Sequence, residues 1–350
     1  MDLRCARPDV PAPTKTKSMG ENMVTNFRIA VALAASILMS WAGAGNAAAR
    51  VLKLGDAQPP TMIVQQGLQH LADLVKERTK GAIEIQIFPN SQLGTEQQII
   101  EGVKLGTIDM FQGSTGSVGA FLPPLEAFAH PYIWRDVDHM LKVVRGEIGA
   151  ELRQRLLKEH GLRILDMGWV FGVRNLTTRN TPVREPADMK GLKIRVQPTA
   201  IYLATIKAMG GNPTPVDFNE LYTSLQTGVV DGQENPFSLI YAAKFYEVQK
   251  YLMLTGHITQ QQTVLINEDV FKSLTQDQQK ILQEAVYESG DFQNKLVDAD
   301  NAASLDKLKA AGMQVITPDI AAFKAATANV HKEFDQKWGK GFFERIEAVR

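Results

Sequence analysis

Thirty-five residues, from Asp277 to Ala311, contain no proline and one interior glycine, Gly290. Thr275 and Gln278 stand just before and within them in Thr-x-x-Gln spacing, a capping box that satisfies two otherwise orphaned backbone N–H groups. Ala285, Ser289, Phe292, Leu296, Ala299 and Ala303 recur at helical spacing, which predicts one buried face. At 1.5 Å per residue such a helix is about 52 Å long, whereas a domain of about 150 residues is nearer ~30 Å across. Either the helix kinks near Gly290, or it runs along two bodies and ties them together. The second reading is favoured, and it predicts two lobes with a crevice between them.

The rest of the chain alternates strand and helix. Val51 to Gly55 and Ile83 to Ile87 are short strand patterns on either side of a helix over 61–79. Thr95-x-x-Gln98 opens a second helix to Leu105, and a strand-like run follows to Gln112. Strands are predicted again over 163–173, 192–196 and 229–231. Between the last two lie helices over 199–209 and from an Asp217–Glu220 capping box to Thr227. This order predicts an α/β fold with largely parallel strands.

Charge and cysteine use narrow the function classes. Lys+Arg and Asp+Glu both number 38, so the chain lacks the surplus cations that release phosphate counterions, and nucleic acid is not an expected partner. At 22% charged and 44% hydrophobic, it is not a disordered chain. Cys5 is the single cysteine, so neither an internal disulfide nor a thiolate metal cluster is available. Ile29 to Ala44 is one uncharged apolar run, preceded by Arg28 and followed by Gly45-Asn46-Ala47-Ala48-Ala49. A spanning helix needs about 20 apolar residues. This run is shorter and ends in small residues, so residues 1–48 are read as an N-terminal extension and a signal peptide cleaved after Ala47, Ala48 or Ala49. An uncleaved anchor is the lesser alternative. Export would then remove Cys5 and carry residues 49–350 out of the cytoplasm.

Catalytic motifs are missing. The six histidines never form HxxxH or HExxH, and there is no Gly-x-Ser-x-Gly elbow. Gly113-Ser114-Thr115-Gly116-Ser117-Val118-Gly119 follows a strand but lacks the Lys-[Ser/Thr] of a phosphate loop. It reads as a tight strand-to-helix turn, compatible with a wall of backbone N–H groups and the Ser114 hydroxyl. No cofactor and no metal site is expected. A secreted hydrolase is a remote alternative, for want of a nucleophile and base.

Three polar residues stand where an α/β sheet meets a ligand. Arg195 alternates with Ile194 and Val196 in the strand Leu192 to Val196, so it occupies the opposite face. An arginine there is costly unless it is paired or lies at the crevice end of the sheet, where its fork suits a carboxylate. Arg174 closes the apolar run Trp169 to Val173, and Asn235 follows the strand at Val229 to Asp231. A salt bridge or a turn also explains each. The two readings weigh equally for Arg195, and the structural one weighs more for Arg174 and Asn235.

The segment GLKIRVQPTAIYLATIKAMGGNPTPVDFNELYTSLQTGVVDGQENP, Gly191 to Pro236, closely resembles the signature of TRAP transporter substrate-binding proteins of the DctP type. FPNSQLGTEQQII (Phe88 to Ile100), FAHPYIW (Phe128 to Trp134) and KFYEVQKYL (Lys244 to Leu252) extend the resemblance from Val51 to Glu347. It implies a two-lobed periplasmic binding protein fold with a hinge between two α/β domains and a long helix spanning both. The lobes would be 49–172 plus 260–300 and 173–259 plus 301–350. It implies no enzyme, but a monomeric receptor that holds a small organic acid and hands it to the small and large membrane subunits of an ion-coupled transporter. The carboxylate clamp would fall on Arg195, with Arg174, Asn235 and Phe218 beside it, and Glu96 and Ser114 reaching in from the first lobe.

The sialic-acid-binding branch of that family usually carries Glu where Ser114 stands, and Asn where Pro198 and Ala57 stand. Without those groups a smaller sugar acid, a hexuronate or aldonate, fits better than sialate. A C4-dicarboxylate or another short carboxylate is the alternative.

Overall fold

The computed structural model describes residues 49–350, together with Asp9 and residues 11–14. The expected signal peptide and Cys5 lie outside the described residues. Nine strands form one sheet: β1 (Arg50–Asp56), β2 (Ile83–Phe88), β3 (Met110–Ser114), β4 (Leu162–Thr178), β5 (Lys193–Val196), β6 (Asn212–Pro215), β7 (Gly232–Pro236), β8 (Tyr251–Asn267) and β9 (Gln314–Ile316). Their order is β2-β1-β3-β8-β4-β7-β5-β6, with β9 paired to β8. In β1, Leu52 and Leu54 are buried while Val51 is exposed, the alternation expected of a pleated strand. The helix Ile63–Arg78 lays Val64, Leu68, Leu71 and Val75 into the same core as those leucines.

The sheet has two parallel flanks and an antiparallel centre. β1 runs parallel to β2 and β3, and β5 runs parallel to β6 and β7. β4 and β8, 17 residues each, pair antiparallel along their whole length and pass from one flank to the other. β3 pairs with the Gln262–Ile266 end of β8. β7 pairs with the Arg174–Thr178 end of β4, which itself faces Tyr251–Ile258 of β8. Register breaks between Ile164 and Leu176 bend this ribbon, one of them at Gly172, whose φ of 128° excludes most side chains.

The expected long helix forms from Gln276 to Ala310, unbroken, with its Thr275–Gln278 capping box in place. It supplies Leu282 and Val286 to the core around β1, and Leu308 to the core around Leu225, Val230 and Leu252. One rod therefore packs on both flanks of the sheet. Gly290 marks a close approach: a β-carbon there would lie 2.7 Å from the indole nitrogen of Trp169. Gly67 meets the same ring from the other helix, at 2.9 Å. Gly290→Ala is therefore expected to overpack Trp169, at about 1–3 kcal/mol, against a gain in helix propensity of up to ~1 kcal/mol. The net loss should appear as a lower urea midpoint, and an unchanged midpoint would show that the indole has room to shift.

Several expectations are corrected. The buried face follows Ala285 and Ser289 as predicted but then turns to Gln293, Val297, Ser304 and Leu308, leaving Ala299 and Ala303 exposed. The irregular stretch of β4 leaves backbone groups that the helix satisfies: Gln293 donates to the Val170 carbonyl (2.5 Å), and Asn294 pairs with Val170 N–H (2.7 Å) and the Gly168 carbonyl (2.7 Å). Hydrogen bonding to β4 sets that face together with apolar contact. The Asp217–Glu220 capping box does not form, because residues Phe218–Glu220 are a separate 3-10 turn without a side-chain cap. The strand expected over 229–231 lies at β7 instead, so Asn235 is inside a strand, and Arg174 is inside β4. Five of the eight strand pairings are parallel, as expected, while the centre of the sheet is antiparallel.

Candidate functional site

Parallel strands direct their carboxyl ends, and the loops that follow, toward one edge, which is where open α/β sheets hold ligands. Here a cavity of about 510 Å³, counted out to its mouth, lies at those ends. Ala57 and Gln58 follow β1, Ser117 follows β3, and Glu96 opens the helix Glu96–Leu105. From the other flank come Arg195 of β5 with Gln197 just beyond it, Asp217 and Phe218 after β6, and Asn235 of β7. Phe171, in the crossing stretch of β4, lines it as well.

Arg195 dominates the electrostatics. It is 2% exposed, and among the described residues its only acceptor is the Val216 carbonyl, 2.8 Å from Nε. Both terminal nitrogens are thus left without a protein partner in a guanidinium that carries five donors. Burial, and then repulsion from Arg174, lower its pKa to about 10. A buried cation with this deficit favours an anion beside it.

Arg174 has the opposite surroundings. It is fully buried and does not line the cavity. Its Nε donates to Glu234 Oε2 (2.5 Å), Nη2 to Glu234 Oε1 (2.7 Å), and Nη1 to Gln260 Oε1 (2.5 Å). Glu234 also meets His257 Nε2 at 3.1 Å, and His257 Nδ1 meets Thr255 Oγ1 at 2.8 Å. Burial alone would raise the Glu234 pKa, but the Arg174 charge and the His257 hydrogen bond overcome it and bring it to about 2. This ion pair joins β4, β7 and β8 behind the cavity.

The capping box at Thr95 and Gln98 sets Glu96 at the first helical position, with its carboxylate toward β3. Glu96 Oε1 accepts from Ser114 N–H (3.2 Å) and Oε2 from Ser117 Oγ (2.5 Å). Burial raises its pKa despite these bonds. Beneath the wall, Asp56 accepts from Gln58 N–H (2.9 Å) and from the Gln65 amide, and burial pushes it up to about 8. Asp56 thereby seats Gln58, whose Oε1 is buried without a partner among the described residues.

Of the six residues proposed from sequence, the cavity brings together Arg195, Glu96, Asn235 and Phe218. Arg174 and Ser114 stand outside its wall. Ser114 reaches the site only through its backbone N–H, and Ser117 supplies the hydroxyl there. Gln58, Gln197 and Asp217 were missed. Each lies within two residues of a strand's carboxyl end, and that placement was a usable signal.

The chain is similar along most of its length to proteins of one family. The DctP family model, described as bacterial extracellular solute-binding protein, family 7, matches residues 54–337. The sialic acid-binding periplasmic protein of Vibrio cholerae is 35% identical over 314 residues, which cover 90% of this chain and 97% of that one. The 2,3-diketo-L-gulonate-binding periplasmic protein of Escherichia coli is 39% identical over 295 residues, covering 82% and 89%. A crystal structure of a TRAP periplasmic solute-binding protein from a Polaromonas species, bound to D-erythronate, superposes with a TM-score of 0.82 at 34% identity, covering 86% of this chain and 99% of that one. Family match, sequence identity and fold converge: the chain belongs to the DctP family of extracellular solute-binding proteins, the periplasmic, non-catalytic receptors of TRAP transporters.

Proposed function

We propose that this receptor captures a sugar acid with a single carboxylate, a hexuronate or aldonate, and delivers it to the membrane subunits of a TRAP transporter. The observation that carries the reading is Arg195, whose terminal nitrogens have no partner among the described residues and which lines a cavity together with Glu96 and Asp217. One cation matched to one carboxylate leaves two acidic groups and several amides for the remainder of the ligand. Those groups accept hydrogen bonds from hydroxyls, whereas a second carboxylate at the far end would meet like charge. A polyhydroxylated acid therefore fits better than a C4-dicarboxylate. Sialic acid and 2,3-diketo-L-gulonate, for which two relatives are named, and the D-erythronate bound in a similar solved structure all combine an acid group with hydroxyls.

The cavity draws its wall from both flanks, so the ligand is held by both only when they approach. The proposed lobes, 49–172 plus 260–300 and 173–259 plus 301–350, meet where β4 and β8 change neighbours, near Gly172 and Gly256, both at positive φ. Closure there would exclude water and strengthen the Arg195 contact.

Thermal shift against D-galacturonate, D-glucuronate, D-erythronate, N-acetylneuraminate and succinate tests the ligand class, because binding to the folded state raises Tm by mass action. A shift with the hexuronates or erythronate well above that with succinate is expected. A shift with succinate alone would overturn the sugar-acid assignment.

A further inference from the structure

A second cavity, of about 690 Å³ counted to its mouth, adjoins the ligand cavity and shares Ser91, Phe218 and Asn219 with it. We propose that Phe218 is the partition between the two, and that it limits the receptor to acids of one sugar unit by closing off a vestibule suited to a second ring. This rests on the sugar-acid reading and goes beyond it.

The vestibule is built from both flanks of the sheet. On one side Asn90 and Ser91 hold consecutive left-handed conformations, φ 55° and 57°, uncommon for residues with a side chain. Their N–H groups donate to the carbonyls of Gln58 (2.9 Å) and Asp56 (3.1 Å), so this loop is pinned to the strip that walls the ligand cavity. On the other side Phe218 packs edge-on against Phe245, with ring centroids 6.3 Å apart. Tyr222 lies beside them, its hydroxyl engaged with Glu247 at 2.6 Å, which leaves its ring as the wall. Aromatic faces with the amides of Asn90 and Asn219 match the two surfaces of a neutral pyranose, an apolar C–H face and a rim of hydroxyls. Lys244, exposed and lining the same vestibule, adds positive charge on the path of an incoming anion. Phe218 belongs to a three-residue turn without a side-chain cap, so its place depends on ring packing.

The test compares acids that differ by one neutral ring and keep one carboxylate: D-gluconate against its 4-O-galactosyl derivative lactobionate, and D-glucuronate against an aldobiouronic acid. Calorimetry on the intact receptor should show the wild type binding a one-unit acid at least 100-fold more tightly than its two-unit partner. Phe218→Ala should narrow that ratio at least tenfold, and Phe218→Leu should fall between. Adding Ala243→Trp, which fills the vestibule, to Phe218→Ala should restore the ratio. Circular dichroism and a cooperative urea transition, both without ligand, report that each variant is folded. A wild type that binds both acids of a pair equally, or a Phe218→Ala variant whose ratio is unchanged, overturns the partition while leaving the sugar-acid reading intact. A wild type that binds succinate but no one-unit sugar acid overturns both.

Discussion

Arg195→Ala is expected to weaken binding of the sugar acid by about 100-fold or more, while the fold persists. A hydrogen bond to a charged group contributes about 1.5–3 kcal/mol, and losing one partner of a buried charge pair costs about 2–5 kcal/mol because the other is left unpaired. Among the described residues the Arg195 guanidinium makes a single hydrogen bond, to Val216, so little of the folded architecture depends on it. Arg195→Lys keeps the charge but loses the planar fork, and should still cost about tenfold or more. Calorimetry with the acid identified by thermal shift checks both variants. Affinity unchanged within threefold in Arg195→Ala would remove this residue from the carboxylate site.

Arg174 should behave differently, with its effect on stability. Arg174→Met leaves Glu234 buried at 1% exposure with its main counter-ion gone, and breaking a buried pair in this way costs about 3–5 kcal/mol. Replacing both partners, Arg174→Met with Glu234→Met, should recover much of that loss. Acid titration adds a second signature. The folded pKa of Glu234 is about 2, below its ordinary value of 4.5, so this group's contribution is complete above about 4.5 and is lost as pH falls toward 2. In Arg174→Met the unpaired carboxyl has the opposite sign: its folded pKa rises, so the deficit against wild type should shrink on acidification. Urea denaturation at neutral and acid pH measures both. A deficit that stays constant with pH would mean that packing, rather than charge, accounts for the cost.

The elements that sequence alone could locate are those whose burial is apolar and local. β1, β2, the helices Ile63–Arg78, Glu96–Leu105 and Ala200–Ala208, and two of the three capping boxes follow from periodicity and cap chemistry within a few residues of chain. The length of the helix at Gln276–Ala310 was equally legible, because nothing in that segment breaks it. From the side chains, Arg195 was placed on the face opposite Ile194 and Val196, and those two are indeed fully buried in the core.

What lay beyond reach was pairing. β8 carries Gln260, Gln261 and Gln262 in succession, a polar run without the apolar alternation of a half-buried strand. It is a buried central strand because Arg174 uses Gln260 and Gln112 donates to Gln262 at 2.6 Å. β6 contains Pro213 and Pro215, which a strand tolerates at the sheet edge it occupies. The same limit governs the site. Arg174 and Arg195 are both arginines on strands, one consumed by Glu234 and the other left open to the cavity. Local sequence determined where these charges sit along the chain. Only the tertiary structure decided which of them was already neutralised: the desolvation of the buried ion is offset in one case by a salt bridge to a partner 60 residues away, and in the other, among the described residues, by the Val216 carbonyl and the fields of Glu234, Glu96 and Asp217, none of them in salt-bridge contact.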